Sequence, residues 1–196
     1  MSRIRIPSGV RLLGVTGAPG AGKSTFATAV VREHGGVVVP MDGFHLADVE
    51  LERRGLRDRK GAPETFDAEG YAALLGRIRD ADGLVMAPAF DRTIEQPVAG
   101  SVPVPADASL VVTEGNYLLL DEPRWRAVRD RLDAVWHVRV DEALRRERLV
   151  ARHVEFGKTP DEARAWVERV DQPNALLVEA VADRADLVLD LTDWEA

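Results

Sequence analysis

Gly17-Ala18-Pro19-Gly20-Ala21-Gly22-Lys23-Ser24 follows the apolar run Leu12-Leu13-Gly14-Val15 and leads into Thr25-Phe26-Ala27-Thr28-Ala29-Val30-Val31, a stretch of helical character. The octapeptide satisfies G-x-x-x-x-G-K-[ST] in full, in the strand, turn and helix setting that gives the pattern its meaning. Its glycines let backbone N–H groups turn inward and cradle phosphate oxygens at the positive end of the following helix. Lys23 is then placed to reach the β- and γ-phosphates of ATP, and Ser24 to ligate Mg²⁺. The expected nucleotide-binding set is Gly17, Ala18, Pro19, Gly20, Ala21, Gly22, Lys23, Ser24 and Thr25.

Outward from this loop, short β-rich apolar runs alternate with helical patterns, the signature of a parallel α/β sheet. Strands are expected at 11–15, 36–40, 84–87, 110–113, 134–140 and 187–191. Several are apolar throughout, as in strands covered by helices on both faces. Helices are expected at 23–34, 68–82, 122–132, 142–153 and 160–181, with Asp67, Asp141 and Thr159 as N-caps and Pro160 at a first helical position. Pro173 should end or kink the last helix near Gln172. Residues 93–108, with Pro97, Pro103 and Pro105, read as a loop or short hairpin projecting from the sheet. The expected architecture is one doubly wound, mostly parallel α/β domain over 1–196.

Composition limits the function. The 196 residues suit one domain, and the formal net charge of −7 argues against wide duplex nucleic-acid binding. Cysteine is absent, which excludes disulfides and thiolate chemistry and fits a reducing cytoplasm. No apolar run approaches a membrane span, and the N-terminal Met1-Ser2-Arg3 is not followed by an apolar signal region. Basic residues gather at Arg53, Arg54, Arg57, Arg59 and Lys60, and again at Arg145, Arg146, Arg148 and Arg152. Such islands are either solvated helix faces or places where a phosphorylated substrate sits.

Binding a nucleotide leaves its use open. The N-K-x-D segment of a guanine-reading GTPase does not occur. Val135-Trp136-His137-Val138-Arg139-Val140-Asp141-Glu142 imitates the acidic strand of a mechanical ATPase, but His137 and Arg139 interrupt it and Asp141 serves as a helix cap. The second strand runs into Met41-Asp42-Gly43-Phe44-His45. Ligands of doubly wound sheets bind at the carboxyl ends of strands, so Asp42 can be the base that takes the proton of an attacking hydroxyl. Asp-Gly is equally a turn signal. Glu114, closing another strand, suits Mg²⁺ or its water, because a hard cation prefers oxygen ligands.

Several segments then carry a resemblance. Met41-Asp42-Gly43-Phe44-His45 resembles the Asp-x-Phe segment of the uridine kinase, pantothenate kinase and phosphoribulokinase group. Arg59-Lys60-Gly61-Ala62-Pro63-Glu64-Thr65-Phe66-Asp67 is similar to the Arg-Lys-Gly-x-Pro-x-Ser-Tyr-Asp segment of bacterial pantothenate kinases. Pro88-Ala89-Phe90-Asp91-Arg92 resembles the Pro-x-Tyr-Asp segment of uridine kinases, and Thr113-Glu114-Gly115 the group's Glu-Gly pair. The resemblance implies an ATP- and Mg²⁺-dependent kinase of a small-molecule alcohol, with Asp42 as base and Ser24 and Glu114 at the metal. It also implies an acceptor pocket drawn from Asp42, Phe44, His45, Arg59, Phe66, Phe90 and Arg92. Residues 142–160 resemble the group's lid, in which Arg148 and Arg152, four apart on one helical face, would meet the transferring phosphoryl group. Homodimers are common in the group. Gly43 and His45 depart from the Ser and Tyr usual in uridine kinases, so nucleoside, pantothenate-like and sugar acceptors all stay open. A nucleotide-binding regulator or mechanical ATPase is the rival reading.

Overall fold

The structure, a computed structural model, describes residues 4–80 and 82–194. The chain runs β1 (Leu12–Thr16), α1 (Lys23–His34), β2 (Val37–Pro40), α2 (Asp48–Arg54), α3 (Ala68–Asp80), β3 (Val85–Asp91) and β4 (Gln96–Val104). It continues through β5 (Val111–Glu114), α4 (Pro123–Arg129), β6 (Ala134–Arg139), α5 (Glu142–Glu155), α6 (Pro160–Trp166), α7 (Gln172–Glu179) and β7 (Leu187–Asp190). Five strands pair in parallel in the order β2-β5-β1-β6-β7. This is the doubly wound α/β fold that the alternation of patterns implied.

Apolar side chains cover both faces of the sheet, which explains the continuous hydrophobic runs of β1 and β5. On one face Leu12, Val111 and Val135 join Tyr71 and Leu75 of α3 and Trp125 of α4. On the other, Leu13, Val15 and Val112 meet Phe26 and Val30 of α1, with Trp136 and Leu191. The register is what builds a site from this core. Val15 of β1 and Pro40 of β2 both lie opposite Glu114 of β5. The loop after β1, the turn after β2 and the end of β5 therefore emerge side by side.

The expected caps are present. Asp141 accepts from the Leu144 N–H at 3.1 Å, Asp67 from Gly70 at 2.8 Å, and Thr159 forms a reciprocal capping box with Glu162. Two expectations need correction, and one element was missed. The run at 84–87 is not a strand of the parallel sheet: it belongs to β3, which pairs antiparallel with β4 as a separate two-stranded ribbon. The helix expected over 160–181 is α6 and α7 joined by a π-turn at Val167–Asp171, a wide turn suited to the missing N–H of Pro173. The short helix α2 was not anticipated. Ala81, within the expected helix 68–82, and the N-terminal Met1, Ser2 and Arg3 lie outside the described residues.

The β3–β4 ribbon sits directly on the turn that carries Asp42. A Cβ at Gly43 would fall 2.4 Å from the Pro88 carbonyl oxygen. That close approach leaves no room for a side chain at Gly43. Gly43→Ser should push the ribbon away at a cost of about 1–3 kcal/mol, typical of overpacking. Thermal denaturation should then show a fall of several degrees; an unchanged midpoint would mean that the ribbon is not seated there.

Candidate functional site

The loop of residues 17–22 crosses from β1 to α1, and its last member, Gly22, adopts the left-handed conformation (φ 88°) that a side chain would strain. Lys23 opens α1 with only 8% of its surface exposed, and its ammonium donates to the Ala18 carbonyl at 3.0 Å. Burial pulls its pKa from 10.5 to about 8, against the opposing charges of Glu114 and Asp42. Ser24 donates to Glu114 Oε1 at 3.1 Å. The Glu114 carboxyl is buried and is pushed above its ordinary range, first by desolvation and then by the charge of Asp42. Hydroxyl and carboxylate oxygens together suit a hard cation. Among the described residues no cluster of three or more His, Asp or Glu forms a metal cage. Mg²⁺ takes one or two carboxylates and leaves its other positions to water and phosphate.

Two cavities meet at this row. One, of about 500 Å³, borders residues 20–25 together with Arg148, Arg152, Leu191 and Trp194. The other, of about 300 Å³, also borders Lys23 and Ser24 but opens toward Asp42, Glu114, Asn116 and Asp171. Asp42 accepts from Arg92 at 3.2 Å, and its carbonyl lies 2.8 Å from His45 Nδ1. His45 packs against Phe66 and Phe90, with ring centroids 4.0 and 4.8 Å away, and burial pushes its imidazole below its ordinary range.

The structure thus brings Asp42, His45, Phe66, Phe90 and Arg92 to one cavity. It does not bring Phe44 or Arg59. Phe44 packs on Tyr71 at 4.7 Å against the core, and Arg59 turns to Glu64. Lys60 and Arg57, on either side of Arg59, border the cavity in its place. Asn116, Asp171 and Asn174 also reach it without having been singled out. Asn116 stands two residues past Glu114, a position that the strand-end argument could have included.

The arginines of α5 divide by partner. Arg146 is held by Glu142 and Glu168. Arg145, 5% exposed, donates to the Pro19 carbonyl at 3.2 Å and to Gln172, so it braces the loop. Arg148 and Arg152 have no carboxylate partner within salt-bridge distance among the described residues, and both border the cavity beside the loop.

The model of the phosphoribulokinase / uridine kinase family matches residues 12–193. The chain belongs to this family. A candidate uridine kinase of Schizosaccharomyces pombe is 33% identical over 192 residues, covering 91% of this chain and 82% of the relative. The pantothenate kinase of Lacticaseibacillus casei is 30% identical over 183 residues, covering 89% of this chain and 57% of the relative. The solved structure of a candidate fructose transport system kinase from Silicibacter sp. TM1040 superposes with a TM-score of 0.83 at 40% identity, over 93% of this chain and 91% of that one. The protein is accordingly an ATP-dependent kinase that phosphorylates a small-molecule alcohol.

A buried, charged Lys23 should weaken the free kinase. Its folded pKa lies below its unfolded one, so the penalty is complete below about pH 8 and is relieved as pH rises toward 10.5. At about 1.4 kcal/mol per pH unit the cost is on the order of 3 kcal/mol. Lys23→Met should therefore raise the melting temperature of the free protein at pH 7 while removing ATP binding in calorimetry. A melting temperature lowered at pH 7 would contradict this balance.

Proposed function

We propose that the kinase transfers the γ-phosphate of Mg²⁺-ATP in line to a hydroxyl of a nucleoside, a pantothenate-like compound or a sugar, with Asp42 as general base. The observation that carries this reading is that Lys23, Ser24, Asp42 and Glu114 border one cavity at the ends of three adjacent strands. Backbone N–H groups of residues 20–24 cradle the phosphates and Lys23 bears on the γ-phosphate. Ser24 and Glu114 would hold Mg²⁺, directly or through its water. A metal held there would supply charge neutralisation to the phosphates of ATP.

The acceptor lies in the second cavity, its hydroxyl directed at Asp42. Asp42 takes the hydroxyl proton as the new O–P bond forms and the bond from the γ-phosphorus to the bridging oxygen breaks. ADP leaves with that oxygen, and Asp42 returns its proton to solvent. Arg92 fixes the carboxylate through their 3.2 Å contact. Arg148 and Arg152 supply cations to the phosphoryl group from a lid over 142–160, within a single kinase domain over 1–196.

Asp42→Asn keeps the side-chain shape and removes the basic carboxylate. Turnover should drop by about 10²–10⁴-fold, the usual cost of a lost general base. ATP affinity, followed with a fluorescent analogue, should change little. Retained transfer would make Asp42 a turn residue, and joint loss of ATP binding would move it to the metal.

A further inference from the structure

The basic island at 53–60 lies beside the acceptor cavity and, from its composition, invites a phosphorylated acceptor. Its cations are already engaged. Glu50 holds both Arg53, at 2.7 Å, and Arg54, at 2.5 Å. Arg59 pairs with Glu64. Asp48 receives Arg57 at 2.8 Å and Lys60 at 2.7 Å, one carboxylate oxygen for each. The Lys60 ammonium also donates to the Glu95 carbonyl at 2.5 Å and lies 5.3 Å from the centroid of the Phe90 ring. With its side chain 9% exposed and its surroundings filled in this way, Lys60 ties α2 to the tip of the β3–β4 ribbon. Gln96 adds to the same tie by accepting from the Asp48 N–H at 3.2 Å.

The other cations around the acceptor are accounted for as well. Arg92 is paired with Asp42. Lys23 and Arg152 border both cavities and belong with the phosphates of ATP. Lys158 remains, and it rests on the face of Trp166 at 4.9 Å. The polar groups left for an acceptor are of another kind. Asp171 and Asn174 come from the π-turn and the start of α7, and are 7% and 6% exposed. Asp171 is fixed by His153 at 2.8 Å, and Asn174 Nδ2 is 3.4 Å from the Gly61 carbonyl. A buried carboxylate repels an anion and accepts from hydroxyls. His45, Phe66 and Phe90 offer an apolar wall for the C–H face of a ring.

We infer that the acceptor is an uncharged polyol, a free sugar or the ribose of a nucleoside, and that sugar phosphates and carboxylic acids are excluded. Asp48 is the specificity-determining residue, because it takes up the charge of Arg57 and Lys60 where they border the cavity. The inference rests on the kinase reading with Asp42 as base and narrows its acceptor.

Matched pairs test it in an ADP-release assay with the intact kinase. The pairs are fructose and fructose 6-phosphate, ribose and ribose 5-phosphate, glucose and gluconate, and uridine and uridine 5′-monophosphate, with pantothenate measured alone. The uncharged member should have the higher kcat/KM by about tenfold or more in every pair that is phosphorylated. Activity on fructose or ribose without uridine would identify a free sugar as the source of the polyol, and the reverse a nucleoside. An anionic member equal to or better than its partner, or pantothenate as the best acceptor, would overturn the inference. Asp48→Asn frees two cations and should raise the ratio of anionic to uncharged kcat/KM by about tenfold, with little change in the KM for ATP. An unchanged ratio in a variant that melts cooperatively would also overturn it. ADP release indifferent to every acceptor would overturn instead the kinase reading beneath it.

Discussion

The register that sets Val15 and Pro40 on either side of Glu114 is the constraint on which the rest of the molecule depends. It places the phosphate loop, the Asp42 turn and the Glu114 carboxylate at neighbouring strand ends, where ligands of doubly wound sheets bind. A slip of one residue would turn every side chain of a strand to the opposite face, and here both faces are packed. Polar bonds reinforce the pairing: Thr113 donates to the Val39 carbonyl at 2.7 Å, and the Gly115 N–H donates to the Val15 carbonyl at 3.0 Å. The site is therefore a consequence of core packing, with loops and lid added around a fixed row.

Charge is concentrated along that row at a cost to the fold. Lys23, Glu114 and Arg145 are each at most 8% exposed, and burial disfavours the ionised form of all three. Arg145 offsets part of its cost by bonding to the Pro19 carbonyl and Gln172. Lys23 and Glu114 are themselves an ammonium suited to phosphate and a carboxylate suited to a cation. A protein that gives up stability to hold such groups ready is expected to be stabilised by its ligand. The two basic islands use arginine differently: around 53–60 it is neutralised to fix local structure, whereas on α5 Arg148 and Arg152 have no carboxylate partner among the described residues and border the cavity beside the phosphate loop.

Much of the fold was legible because its signals are local. The phosphate loop, the caps at Asp67, Asp141 and Thr159, and the apolar strands each depend on a few consecutive residues. Asp42 and Glu114 were legible because a strand end predicts a location. What escaped depends on contacts distant in sequence. The isolation of β3 and β4 from the main sheet follows from their pairing with each other and from the seat on Gly43, which no pattern within 84–87 encodes. Whether Arg59 or Lys60 faces the cavity turns on one residue of a short 3₁₀ segment ending at Arg59. Asp171 and Asn174 join the acceptor side from across the fold, with Asn174 beside Gly61, 113 residues away.

The central claim is that one row of strand ends aligns donor, metal and base, and a crystal structure with Mg²⁺ and a non-hydrolysable ATP analogue tests it most directly. The metal should lie about 2.0–2.1 Å from Ser24 Oγ, with Glu114 bound to it directly or through one water. The γ-phosphate should face the Asp42 carboxylate across the acceptor cavity. A metal held away from Ser24 and Glu114, or a γ-phosphate turned from Asp42, would contradict the account.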